Sequence, residues 1–230
     1  MSGVFFFPGA GSFGAEFQAL ADAFQPDAWL IKYPGRFGRD FGVPAESFDG
    51  VVRACAEQIA GRATTSPILF GHSFGAYVAY ATALRLQEAG AGLLALVLAG
   101  AVAPGRLEVS EQATGSLSDA ARYLDSVDPS ALAGAPSDDW REVVVETAVQ
   151  DLRLLRQFAV TSPGGVRCPI LAVLGDADPL TSADAAGEWK NATDHEFSMH
   201  VFPGGHSGFL RSEVLVAWAR EVRARLTAVG

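Results

Sequence analysis

Apolar residues in this chain come in short, bounded runs. VFFF (4–7), AWLIKY (28–33), PILFG (67–71), LLALVLAG (93–100), PILAVLG (169–175) and FSMHVF (197–202) are closed by Gly, Pro or polar residues, and their lengths suit strands. Between them, apolar positions recur at helical spacing over 14–24, 47–62, 74–89, 183–190 and 208–227. Strand and helix alternate, and most strands are apolar at nearly every position. That pattern predicts an α/β fold with a mostly parallel central sheet covered by helices on both faces.

One interval breaks the rhythm. Nearly seventy residues separate LLALVLAG from PILAVLG, far more than a crossover helix requires. It reads as an insertion, about 105–165, that forms a helical lid over the C-terminal edge of the strands. Within it, 125–139 (DSVDPSALAGAPSDD) is rich in small residues, Pro and Asp and should be loop, whereas 140–158 (WREVVVETAVQDLRLLRQF) has the spacing of an amphipathic helix.

Composition narrows the class. At 230 residues the chain can bury one sizeable core, so a single domain over 1–230 is expected. A formal net charge of −9 argues against nucleic acid or an anionic membrane surface as a partner. No apolar run reaches the roughly 20 residues that span a bilayer. MSGVFFFPGAG has no basic stretch ahead of its apolar run, so a cytoplasmic location is expected. Cys55 and Cys168 lie far apart without metal-ligand spacing and read as buried free thiols.

The candidate chemistry centres on Gly71-His72-Ser73-Phe74-Gly75, which joins an apolar run to a helical one. A serine at a sharp strand-to-helix turn, with glycine two residues on either side, is the pattern of a nucleophile elbow, and the helix N-terminus behind it favours an oxyanion. Serine needs a base, and the base needs an acid to orient it. His206, in FPGGHSGF directly after the last strand, sits at the sheet edge where Ser73 emerges; His72 reads as packing, and His195 and His200 as structural or surface. The run PILAVLG leads into Gly175-Asp176-Ala177-Asp178-Pro179. Asp178 is taken as the acid, with Asp176 as the alternative. The oxyanion donors are the backbone N–H of Phe74 and, from the glycine-rich turn after the first strand, that of Ala10.

In chain order, FPGAG (7–11), YPGR (33–36), GHSFGA (71–76), GDADPL (175–180) and GGH (204–206) resemble the motifs of the α/β-hydrolase superfamily. With the helix ETAVQDLRLLRQF (146–158), the chain looks like the type II thioesterases that accompany modular polyketide synthases and nonribosomal peptide synthetases. The resemblance implies hydrolysis of acyl thioesters from the phosphopantetheine arm of acyl or peptidyl carrier proteins, through an acyl-serine intermediate. It implies an editing role, transient carrier partners, a monomer, and no metal or organic cofactor, the pantetheine being part of the substrate. It carries the triad onto Ser73, Asp178 and His206 and the oxyanion donors onto Ala10 and Phe74.

Departures from the family pattern bear on substrate preference. Phe74 stands where Met is frequent, Gly9 where an aromatic or histidine is frequent, and Phe37-Gly38-Arg39 where acidic residues often follow YPGR. The Phe74 ring is therefore a candidate selector of acyl groups. Val145, Val149, Leu152, Leu155 and Phe158 are candidates to line the acyl channel, and Arg36 and Arg39 to touch an acidic carrier, though either arginine reads equally as solvated surface. The same triad would also serve a small-molecule carboxylesterase, an acyltransferase or a cyclising thioesterase.

Overall fold

The computed structural model describes residues 2–62, 64–129, 132, 135–159 and 164–229. Six strands, β1 (Val4–Phe7), β2 (Ala28–Leu30), β3 (Ile68–His72), β4 (Ala95–Ala99), β5 (Ile170–Gly175) and β6 (Phe197–Phe202), form a sheet in the order β2-β1-β3-β4-β5-β6. Every adjoining pair is parallel.

Because successive side chains alternate across a strand, the apolar runs feed two cores. Phe5, Phe7, Leu69, Leu96, Leu98 and Ile170 face one way, against helices α2 (Phe48–Ala60) and α3 (Phe74–Glu88). Phe6, Ile68, Phe70, Val97, Leu171 and Val173 face the other way, against α1 (Gln18–Ala23) and α7 (Glu213–Val229). Each fully buried Phe or Leu contributes about 1.5–3 kcal/mol relative to an exposed one. The aromatic-rich β1 sits in the interior of the sheet for that reason. The edge strand β6 departs from the expectation of two covered faces, since Met199 and Val201 are exposed.

The inserted interval contains α4 (Leu117–Val127) and α5 (Asp138–Ala159), and the short α6 (Ala183–Gly187) follows β5. The loop expected over 125–139 starts later than its composition suggests, because α4 continues through Val127 from an N-cap in which the Ser116 side chain accepts the Asp119 N–H. Residues 130, 131, 133 and 134 of that stretch lie outside the described residues. Among the described residues no helix is long and apolar enough to cross a membrane. Cys55 and Cys168 are free and buried.

Strand order sets where a site can form. The chain steps from β1 outward to β2, then crosses back over β1 to β3, so the loops after β1 and β3 leave the sheet in opposite directions. The crevice at the carboxyl ends of strands at such a reversal is the usual ligand site of open parallel sheets. The β1 loop begins at Pro8, and β3 ends on His72 with Ser73 next.

Candidate active site

Ser73 is held in a backbone conformation that its neighbours enforce. Its φ of 51° makes it the single non-glycine residue with positive φ among the described residues. A side chain at Gly71 would stand 2.3 Å from the Gly75 carbonyl oxygen, and one at Gly75 would stand 2.1 Å from that of Phe7, so strand, turn and helix close up only with glycine at both places. Ser47, Ser116 and Ser182 each use their hydroxyl to cap a helix. Ser73 occupies the same position on α3 and makes no capping bond. The residue lines two cavities instead.

His206 and Asp178 meet beside it. His206 Nδ1 lies 3.0 Å from each Asp178 carboxylate oxygen, and Asp178 Oδ1 also accepts the Leu180 N–H at 2.9 Å. The side chain of Asp178 is fully buried. Burial opposes its ionisation, but the facing His206 ring and the Leu180 N–H prevail and hold the carboxyl below its ordinary value. An ionised carboxylate only accepts, so His206 carries its proton on Nδ1 and presents Nε2 as the basic nitrogen. Among the described residues Ser73 Oγ makes no hydrogen bond; catalytic contacts are often long until substrate binds. Asp176 plays a different part, since its Oδ1 accepts the Gly204 N–H at 2.9 Å and fixes the turn that delivers His206.

Of the four amides from Gly9 to Ser12 in the loop after β1, three are taken. Gly9 donates to Glu16, Gly11 to Asp151 and Ser12 to the Gly9 carbonyl. The Ala10 N–H has no partner among the described residues, and neither has that of Phe74 at the head of α3. Two unspent donors of this kind can receive a developing oxyanion.

The first cavity, of about 220 Å³, is lined by Ala10, Ser73, His206, Tyr123, Leu124 and Trp140 among others. A second, of about 100 Å³, runs from Ser73 past Tyr77, Val109, Ala113, Leu152 and Leu155. Tyr123, Leu152 and Leu180 border both. Burial and the nearby Asp178 charge push the Tyr123 hydroxyl above its ordinary value. No motif marks Tyr123, because it arrives on α4 from the inserted interval.

Three candidate roles are revised. Arg36 is buried, ion-paired with Asp151 of α5 and bonded to the Ser12 carbonyl, so it offers nothing to a partner's surface. Arg39 is exposed. The Phe74 ring lies in the core, edge-on to Tyr33 and Phe48, because the turn aims its backbone and not its side chain toward the cavity. Of the five apolar positions on α5, Leu152 and Leu155 reach the cavities beside Ser73. Val145 and Val149 pack toward α4, and Phe158 packs on Phe48 and Tyr77.

Sheet order and elbow geometry define an α/β-hydrolase fold. The thioesterase domain family model matches residues 3–226. The chain belongs to that family and is by that membership a thioester hydrolase. It is 27% identical over 214 residues to thioesterase TesA of Mycobacterium marinum, covering 88% of this chain and 83% of TesA. Among solved structures it is similar to RedJ, a thioesterase of the prodiginine pathway in Streptomyces coelicolor (TM-score 0.83, 22% identity, 95% of this chain and 84% of RedJ). It is also similar to BorB, a type II thioesterase of the borrelidin cluster (TM-score 0.80, 26% identity, 96% and 91%).

Proposed function

We propose that the protein is a type II thioesterase that releases acyl groups from the phosphopantetheine arm of acyl or peptidyl carrier proteins of a modular polyketide or peptide synthase. The observation that carries this is the position of Ser73. It stands where two cavities meet, beside an Asp178-oriented His206 and two unpartnered backbone N–H groups. The cavities offer separate room for an acyl group and for the arm that delivers it. The kinship with BorB and TesA supports the same class of reaction here.

His206 Nε2 takes the Ser73 proton as Oγ attacks the thioester carbonyl. The Ala10 and Phe74 N–H groups donate hydrogen bonds to the negative charge that develops on the carbonyl oxygen, and Asp178 stabilises the imidazolium. The C–S bond breaks as the intermediate collapses, and the departing thiolate, of a thiol with pKa about 8.5, takes up the His206 proton and so restores the base. Water activated by His206 then hydrolyses the acyl-serine, and α4 and α5 act as the lid. The enzyme works as a cytoplasmic monomer that meets its carriers transiently.

The test is release of acid from acetyl-, propionyl- and longer acyl-carrier proteins, followed by mass spectrometry beside hydrolysis of an aryl ester, with Ser73→Ala as control. Carrier deacylation that Ser73→Ala abolishes is expected. Rapid ester turnover with no carrier deacylation would instead identify a small-molecule carboxylesterase.

A further inference from the structure

A second carboxylate and a second imidazole lie behind the catalytic pair. Glu16 sits on the short 3-10 helix Ala15–Phe17 and is buried. Its Oε1 accepts the Gly9 N–H at 3.0 Å, and its Oε2 accepts the Ser12 hydroxyl. The same Oε1 stands 3.8 Å from Nδ1 of the buried His72 ring. That separation exceeds a hydrogen bond, so the Glu16 charge acts on the ring through space. His72 Nδ1 has no other partner among the described residues. His72 Nε2 lies 2.8 Å from the His206 carbonyl oxygen, which can only accept, so the ring donates there. The His72 and His206 rings are 4.9 Å apart between centroids. Glu16, His72, Ser73 and His206 all border the larger cavity.

We propose that Glu16 is a positioning residue for the reaction centre: it anchors the loop that carries the Ala10 donor and, through His72, supports the backbone and the developing positive charge of His206. One carboxylate thereby serves both halves of the site. Its negative charge stands beside His72, whose ring adjoins that of His206, so the imidazolium formed at His206 is stabilised by Asp178 directly and by Glu16 at longer range. Other groups facing His206 or sharing its cavity are Asp178 from the loop after β5, Tyr123 from α4, Asp128 beyond α4, and Arg211 from the turn before α7. None of them contacts the Gly9 amide.

The inference rests on the Ser73 chemistry proposed above and is tested on an aryl ester, which reports that chemistry whatever the natural acyl donor. Glu16→Gln keeps a side-chain oxygen for Gly9 and removes the charge. Expected is a fall in kcat of about tenfold with KM within about twofold, and an acid limb of the kcat/KM profile moved about half a unit to lower pH, because a proton on His206 is then less favoured. Glu16→Ala should lower kcat further by freeing the loop. A folded Glu16→Gln enzyme with the wild-type limb and kcat would overturn the inference. If that variant does not fold, His72→Gln, which retains an N–H donor for the His206 carbonyl, is read the same way. A wild-type enzyme active on the ester but inert on thioesters would contradict the thioesterase function and leave the Glu16 comparison decisive on its own terms.

Discussion

At the scale of single residues the two aspartates beyond β5 separate cleanly. Asp178 faces His206 and Asp176 faces Gly204. Asp178→Asn is expected to lower kcat by roughly 10³–10⁴-fold, since the amide cannot hold the imidazole in the required tautomer. Asp176→Asn should cost less than about tenfold, because it loosens only a turn. Steady-state kinetics on both purified variants decides, and a reversed order would move the acid to Asp176. Glu16 supplies a pH signature of stability as well. Burial opposes its charge, yet His72, Ser12 and Gly9 bring its carboxyl from 4.5 to about 2 in the folded chain. A folded value below the unfolded one means stability that is complete above pH 4.5 and fades as pH falls toward 2. Urea midpoints measured across that range should fall steeply for the wild type and less steeply for Glu16→Gln. Ser73, His206 and Asp178 could be singled out as candidates from sequence because each follows a strand in a recognisable turn. Glu16, Tyr123 and the burial of Arg36 could not, because their meaning comes from partners far away along the chain.

At the scale of elements, α5 is tied to the reaction centre by one buried ion pair. Asp151 accepts from Arg36 and from the Gly11 N–H of the loop that carries Ala10. Burial pushes the Asp151 carboxyl up, against the pull of Arg36 and Gly11, as expected for a charge removed from water. Arg36→Ala strands that charge and is expected to cost about 3–5 kcal/mol by chemical denaturation. The double change Arg36→Met, Asp151→Leu should recover most of the stability. Activity should stay low, since the Gly11 amide still lacks its acceptor. Full activity in the double variant would show that the tie is dispensable. Gly75→Ala tests the elbow: with a backbone oxygen 2.1 Å from the new carbon, a loss of about 2 kcal/mol or more is expected, with activity lost as Ser73 shifts. Strand and helix existence followed from apolar spacing, and every sequence-derived strand appears. The ends did not follow, because caps and packing set them: the run over 14–24 divides into a 3-10 turn and α1, and the run over 208–227 starts its α-helix at Glu213.

At the scale of the whole molecule, charge and architecture pull in different directions. A net charge of −9 repels an acidic carrier, and Arg36, a candidate contact by sequence, is committed to the interior. Under the proposed function, recognition of a carrier then rests on its pantetheine arm and on local contacts. Raising ionic strength from about 10 to 150 mM is expected to leave KM for an acidic carrier unchanged or lower, because salt screens repulsion. A steep rise in KM would reveal a basic docking patch. The central claim, that Ser73 accepts the acyl group from a thioester, is tested most directly by trapping. Enzyme mixed with an acyl-carrier protein, quenched in acid within milliseconds and digested, should yield the acyl group on the peptide bearing Ser73, and His206→Ala should abolish that adduct. Release of free acid with no adduct on that peptide at any time, or with undiminished turnover in Ser73→Ala, would contradict it.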